Sequence, residues 1–455
     1  MQQLNLHPYQ ESGIEFLLNT PAQCNGGGGH LLDMGLGKTA CALEAFRRLK
    51  EAGKVKRMLV VAPLKVIQIT WPDEIRKWDR FCGLSYTVLH GPNKAEALKR
   101  DVDIYLINYE GIDWLTDQAW VAPSIICFDE LSKMKSWKSK RVKALKPFLP
   151  LFKYRWGLTG TPTPNNYYDI FAQAYMLDCG HTFGKFITHF CNEYFEPLLK
   201  HEYKPKPKQD CVEGLAQKMS KLFYRLDGKD YLDLPTEIHN PIYLELPKGL
   251  HTKYTELQKE FITKMGEVTL SVTSASALSN KLRQFLSGNV YTDETEYEFI
   301  HDVKFNALKD LIEEQQGRPI LVGYKYRHEL FTFKKMFKDA VFLDEYPSTA
   351  EVQKVVAAWN RGEVTVMFGH PASIGFGLNL QQACNTIAIT SLDFNLADYL
   401  QFIKRVSRQG QKESHVIINY LIFKNTIDEM IVKVLASKNA SQLLLLDKIK
   451  EIQNV

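Results

Sequence analysis

With 455 residues and 45% hydrophobic content, the chain exceeds the roughly 250–300 residues at which a single core stops growing, so two large lobes are expected. A formal net charge of +5 is mild for this length, and any affinity for a polyanion has to come from local clustering. The eight cysteines form no CxxC pair, there is no HExxH, and neither a leader pattern nor an apolar run near the roughly 18 residues of a membrane helix is present. This speaks against a zinc site, a disulfide framework and a membrane span, and a soluble protein of a reducing cytosol is expected.

Along the chain, the run Gly26 to Gly29 reads as a flexible entry into LLDMGLGKTA, Leu31 to Ala40. There Gly35 and Gly37 let the backbone turn and aim N–H groups at phosphate oxygens. Lys38 can reach the β- and γ-phosphates, and the Thr39 hydroxyl is placed to ligate Mg²⁺. The full phosphate-loop pattern would want glycine at residue 32, where the chain has leucine; the bland alternative is a helix entry with incidental glycines. TACALEAFRRLKEAG follows with helical spacing of its apolar residues. MLVVAP (Met58 to Pro63), IYLIN (Ile104 to Asn108) and IICF (Ile125 to Phe128) read as buried strands. The last ends in Asp129 and Glu130, the pair a phosphate-loop ATPase needs: one acid to hold Mg²⁺ and one to polarise the attacking water. Acids at a strand end are common alone; their joint occurrence with GKT carries the weight.

SKMKSWKSKRVKALK then presents Lys133, Lys135, Lys138, Lys140, Arg141, Lys143 and Lys146 without an acid among them. It is either a solvated surface or a nucleic-acid contact, each neutralised phosphate adding about −0.9 to the slope of log K against log salt on duplex DNA. Trp137 fits an anchor for this loop better than a stacking platform. From about Gly180 to Pro247 proline density opposes regular structure, and the lobe boundary is placed near Leu234 and Pro235. RPILVG, VTVMFG, NTIAIT and HVIINYL are the second half's strands, with helices at VKFNALKDLIEEQQG and TAEVQKVVAAWNRG. Alternating strand and helix, occurring twice, predicts a parallel α/β architecture. Near the end QFIKRVSRQGQ puts Arg405 and Arg408 three apart, one turn of a helix. They are either a basic face or cations for phosphoryl transfer, where an arginine from another lobe accelerates the reaction by roughly 10³–10⁵.

Taken together these residues resemble the Swi/Snf-type ATPases of helicase superfamily two, over nearly the whole chain and in the family's order. LHPYQESGIEFLL is similar to the opening glutamine motif, with Gln10 at the adenine-reading position. LLDMGLGKT resembles motif I, whose family form also lacks the first glycine. VVAPLKVIQITWPDEIRKW resembles motif Ia, implying DNA contacts at Pro63 and Lys65, and LINYEGI resembles the strand ending in a DNA-contacting turn, here Asn108 and Tyr109. FDELSKMKSWKSKRVKAL is similar to motif II and its basic tail, where Lys133, Lys135, Lys138, Lys140 and Arg141 are the implied DNA contacts. GLTGTPTPNNYYDIF resembles motif III, whose Thr159, Gly160 and Thr161 would link the nucleotide site to DNA. ILVGYKYRHEL resembles motif IV, IGFGLNLQQA motif V with Gly377 toward the nucleotide, and QFIKRVSRQGQ motif VI with Gln401 in coupling and Arg405 and Arg408 on the two arginines.

The resemblance implies two tandem RecA-like parallel-sheet lobes with helical insertions, lobe one at 1–234 and lobe two at 235–455 with a C-terminal helix. It implies ATP and Mg²⁺ as cofactors, Lys38, Glu130, Arg405 and Arg408 in hydrolysis, and Thr39 and Asp129 on the metal. Double-stranded DNA, forked or single-stranded DNA as variants, is the implied partner, with translocation on the duplex the expected activity in a bacterial or phage-infected cytoplasm. A strand-separating helicase and an ATP-gated DNA clamp are the alternatives. The chain begins almost at the first motif and ends soon after the last, as in compact phage and bacterial members, so a motor with little attached is expected. Two departures stand out. Ser132 replaces the histidine of the family's DEAH or DEGH, and a hydroxyl can still donate and accept one hydrogen bond. His370 and Pro371 occupy motif V places that often carry hydroxyls, so DNA contacts there are not carried over. FYRLDGKDYLDLP resembles the passage between lobes without its paired arginines.

Overall fold

The computed structural model describes residues 2–23, 25–197, 205–266, 272–293, 296–346, 348–374 and 378–453. The first sheet has seven strands: β1 Gly27–Leu32, β2 Met58–Ala62, β3 Tyr86–Leu89, β4 Ile104–Asn108, β5 Ile125–Asp129, β6 Tyr154–Thr159 and β7 Phe223–Leu226. Their order is β3-β4-β2-β5-β6-β1-β7, and each pairing is parallel. Helices cover both faces of such a sheet, so its strands read as unbroken apolar runs rather than alternating ones. That is why MLVVA, IYLIN and IICF were legible as strands, and all of their residues are buried. Because the strands run the same way, Asp33, Pro63, Tyr109, Glu130 and Gly160 all follow strand C-termini on one edge of the sheet.

The glycine run is not a flexible entry. Gly27 to Gly29 form the buried start of β1, between β6 and β7. A Cβ would fall 2.2 Å from Leu177 O at Gly27, 2.3 Å from Thr20 Cγ2 at Gly28 and 2.4 Å from Gly157 O at Gly29. These glycines are there because neighbouring chain passes where a side chain would be. The stretch from Gly180 to Pro247 is also more regular than its prolines predicted. It holds helices Ile187–Tyr194 and Cys211–Leu222 and strand β7, followed by β8, Thr236–Leu244. The prolines at 205 and 207 lie between the helices, where they cost no helical hydrogen bond.

The chain divides into two compact units, one of the described residues up to Leu232 together with those from Lys438 onward, the other essentially Asp233–Ser437. The sequence pattern had kept the C-terminal stretch with the second lobe. Instead Leu445, Leu446 and Ile449 complete the first unit's core, and Gln453 Nε2 donates to Ser220 O at 2.8 Å. The second unit's strands are β8, then β9 Asn289–Tyr291 and β10 Tyr297–Phe299, which form a separate hairpin, β11 Ile320–Gly323, β12 Val341–Phe342, β13 Val366–Gly369, β14 Thr386–Ile389 and β15 His415–Phe423. Apart from the hairpin they make a six-stranded parallel sheet, ordered β12-β13-β11-β14-β15-β8. Two α/β lobes with parallel sheets are thus observed. Among the described residues no helix is long and apolar enough to cross a membrane.

One ion pair lies wholly inside the second unit. Lys304 and Asp428, 3% and 4% exposed, meet at 2.8 Å, with Lys304 also donating to Thr390 O. Removing one partner strands a charge in a dry interior, whereas removing both leaves no buried charge unpaired. Lys304→Met is therefore expected to destabilise the fold by about 3–5 kcal/mol, seen as a lower urea midpoint. The double variant Lys304→Met/Asp428→Leu should recover most of that loss.

Candidate functional site

The phosphate loop joins β1 to helix Lys38–Glu51. Gly35 and Gly37 have φ of 95° and 81°, a left-handed backbone that glycine adopts without strain. Gly37 caps the helix, so the first N–H groups of Lys38, Thr39 and Ala40 are free of intrahelical partners and suited to an anion. The Lys38 ammonium donates to Leu32 O at 2.7 Å and Asp33 O at 3.1 Å. Burial lowers its pKa, against the pull of Glu130, Asp129 and Asp33. Gln10 ties the opening helix to this loop: its Oε1 accepts from His7 N at 2.9 Å and its Nε2 donates to Leu36 O at 3.3 Å. The amide keeps a second N–H and a second lone pair for a base.

A residue that sequence did not single out braces the same loop. Arg225, 2% exposed, donates to Leu31 O at 3.0 Å and to Asp33 Oδ1 at 2.8 Å. Burial pushes the Asp33 carboxyl up, but the charge and hydrogen bond of Arg225, with the Gly228 N–H, hold it below the usual range. A lone arginine in FYRLDG gives no hint of this, because its partner lies 192 residues earlier.

Asp129 closes β5, and Glu130 follows with φ 63° and ψ 56°. A side chain in this left-handed region costs about 1–2 kcal/mol and persists only when its surroundings enforce it. Trp71 Nε1 donates to Asp129 Oδ2 at 2.9 Å. Ser132 Oγ donates to Glu130 Oε1 at 2.6 Å, and the hydroxyls of Thr159 and Thr161 lie 3.5 Å from the same oxygen. The Thr161 N–H donates to Thr159 Oγ1 at 3.1 Å, and a Cβ on Gly160 would sit 3.2 Å from Leu32 O. The serine and both threonines therefore converge on Glu130. Burial raises the Asp129 carboxyl to about 6, with Trp71 opposing and Glu130 adding to the rise. Together with the Thr39 hydroxyl this carboxylate offers hard oxygen ligands of the kind Mg²⁺ takes. The residues fit that ion.

In the second unit, the helix that was to carry both arginines ends earlier, at Leu396–Ile403. Arg405 and Arg408 instead lie in the turns that follow. The Arg405 guanidinium donates to Gln401 O at 3.1 Å and Leu378 O at 3.2 Å, and burial lowers the Arg408 pKa. The Gln401 side chain is buried, its Oε1 without a hydrogen-bond partner among the described residues. Gly377 lies outside the described residues.

The residues implied as DNA contacts separate into two groups. Lys138 and Lys140 are exposed, and Lys133, Lys135, Pro63 and Lys65 are half-buried. Trp137 packs edge-on against Phe171 and Tyr175, each at 4.9 Å, so it anchors the loop. Asn108 and Tyr109, by contrast, turn inward. Asn108 Nδ2 donates to Glu110 Oε2 at 2.9 Å, and the Tyr109 hydroxyl, on a side chain only 2% exposed, donates to Asp129 O at 2.9 Å and Glu130 O at 3.0 Å. Tyr109 is thus not a surface contact. Arg141 stands 5.8 Å over its ring.

Residues 9–290 match the model of the SNF2-related domain and residues 303–410 that of the helicase conserved C-terminal domain. Protein p41 of Acyrthosiphon pisum secondary endosymbiont phage 1 is 34% identical, over 99% of this chain and 100% of that protein. YwqA of Bacillus subtilis (strain 168), whose name describes an ATP-dependent helicase/translocase, is 26% identical over 95% of this chain, which spans about half (48%) of it. The solved SWI2/SNF2 ATPase core of Sulfolobus solfataricus in complex with dsDNA aligns over 100% of this chain and 95% of its own at 21% identity, with a TM-score of 0.45.

Two outcomes follow from the acids. The Asp129 carboxyl is raised to about 6 by burial, so as a candidate metal ligand it loses its ionised form as pH falls through that value. A profile of kcat/KM for ATP should show an acidic limb near pH 6 rather than near the ordinary aspartate value of about 4. Ser132→Ala removes a short hydrogen bond to a charged acceptor, a loss of about 1.5–3 kcal/mol. Steady-state kinetics should show kcat reduced by roughly tenfold or more with KM little changed.

Proposed function

The chain belongs to the SNF2-related family of ATP-hydrolysing, helicase-like enzymes, and from that premise we propose that it couples ATP hydrolysis to movement along double-stranded DNA. The observation that carries the proposal is the convergence of Ser132, Thr159 and Thr161 on one oxygen of Glu130. Hydroxyls from two separate segments meet the candidate base, so a shift of either segment alters its hydrogen bonding.

In this mechanism the N–H groups after Gly37 and the Lys38 ammonium bind the phosphates, with Gln10 turned to the base. Bound Mg²⁺, held by Thr39 and Asp129, would neutralise charge on the phosphate oxygens. Trp71 fixes the orientation of the Asp129 carboxylate. Glu130 accepts the proton of the attacking water. Arg405 and Arg408 are assigned to the charge that develops on the transferred phosphoryl group. The exposed Lys138 and Lys140, with Lys133, Lys135 and Lys65 nearby in sequence or at the same sheet edge, are assigned to the DNA backbone. The full-length similarity to a phage protein supports action in the cytoplasm of an infected bacterium.

ATP hydrolysis measured at one low salt concentration without DNA, with single-stranded DNA and with duplex DNA tests this directly. Duplex is expected to stimulate the rate by at least about tenfold, and Glu130→Gln to retain nucleotide binding while abolishing turnover. Stimulation by single strands alone would replace the duplex translocase with a strand-separating helicase. An undiminished rate in Glu130→Gln would remove Glu130 as the base.

A further inference from the structure

The left-handed backbone at Glu130 needs something to hold it, and Ser132 does not do so, since its hydroxyl bonds the Glu130 carboxylate rather than the main chain. We infer that Tyr109 is the positioning residue for Glu130, fixing the peptide from which the carboxylate projects. The inference rests on Glu130 being the base of hydrolysis.

Tyr109 comes from the end of β4, and Glu130 from the end of β5. These strands are not neighbours, because β2 lies between them. The tyrosine therefore reaches past the end of β2 to place its hydroxyl between two successive carbonyls, at 2.9 Å from Asp129 O and 3.0 Å from Glu130 O. One donor shared by both carbonyls fixes the two successive peptides that flank the Glu130 Cα. Glu130 O also accepts from Lys133 N at 2.9 Å, so the first turn of the basic segment starts from the same carbonyl. The rest of the ring packs in the first unit's core, and Arg141 of the basic segment stands over it at 5.8 Å. Base geometry and basic segment thus meet on one side chain, which is only 2% exposed.

Tyr109→Phe tests this, because it keeps the ring, its packing and the Arg141 contact and deletes only the donor. The expected result is a kcat lower by on the order of 10²-fold, the usual cost of a misplaced catalytic group, with KM for ATP and affinity for a duplex oligonucleotide within about twofold of wild type. The melting temperature should move by only a few degrees. A kcat within about twofold of wild type, with Glu130→Gln inactive in the same assay, overturns the inference and leaves the assignment of the base standing. A lowered melting temperature with unchanged kcat overturns it in favour of a structural role. A selective loss of duplex affinity overturns it in favour of a DNA contact. Activity in Glu130→Gln would instead strike at the base itself, so the two failures are distinguishable.

Discussion

The first unit is organised around one carboxylate whose backbone would not choose its own conformation. Glu130 sits in the left-handed region directly after a parallel strand whose first four residues are buried, and its neighbours supply what that conformation lacks. Tyr109 holds the main chain on one side, and Ser132, Thr159 and Thr161 surround one carboxylate oxygen. The parallel sheet makes this possible, since only strands running the same way deliver residues so distant in sequence to one edge. The phosphate loop shares that edge because β1 and β6 are adjacent, and Gly160 packs against Leu32 O.

Serine at position 132 changes how the acid is linked to the segment after β6. An imidazole has two nitrogens on opposite sides of a ring and can bond two groups several ångströms apart. A hydroxyl has one short arm, and here that arm is spent on Glu130 Oε1 at 2.6 Å. With serine, the threonines do not meet an intermediary. They approach the carboxylate itself, at 3.5 Å, a separation at which a small movement of Thr159 or Thr161 decides whether a hydrogen bond forms. The link is direct rather than relayed.

Much of this was legible in the sequence because it is local. GKT after a glycine turn and two acids after an apolar run are patterns within a dozen residues, each strand or helix of the alternating series is nearly as short, and the structure contains them. What was missed depends on residues brought together by the sheet. Gly27 to Gly29 looked flexible because nothing in their neighbourhood announces Leu177, Thr20 and Gly157 pressing on them. Arg225 and Trp71 find their carboxylates 192 and 58 residues away. Tyr109 looked like a surface contact because its motif lies at a strand end, and a strand end can face outward or across the sheet. A spacing of three suits a helix and successive turns equally, and Arg405 and Arg408 lie in the turns after Ile403.

The basic segment shows the same limit in energetic terms. Its cations read in sequence as one patch, yet the fold places two of them over aromatic rings. Lys146 lies 4.4 Å over Trp137 and 4.9 Å over Tyr175, and Arg141 stands over Tyr109. A cation held over a ring has given up part of its freedom to follow a phosphate backbone, and such a contact is worth about 0.5–1 kcal/mol where exposed. The exposed Lys138 and Lys140 lie between these anchors, on a loop pinned at both ends by aromatic packing. The electrostatic footprint is therefore narrower than the charge run suggests. Its position is fixed by the same core that positions Glu130, so there is little slack in the segment between these cations and that carboxylate.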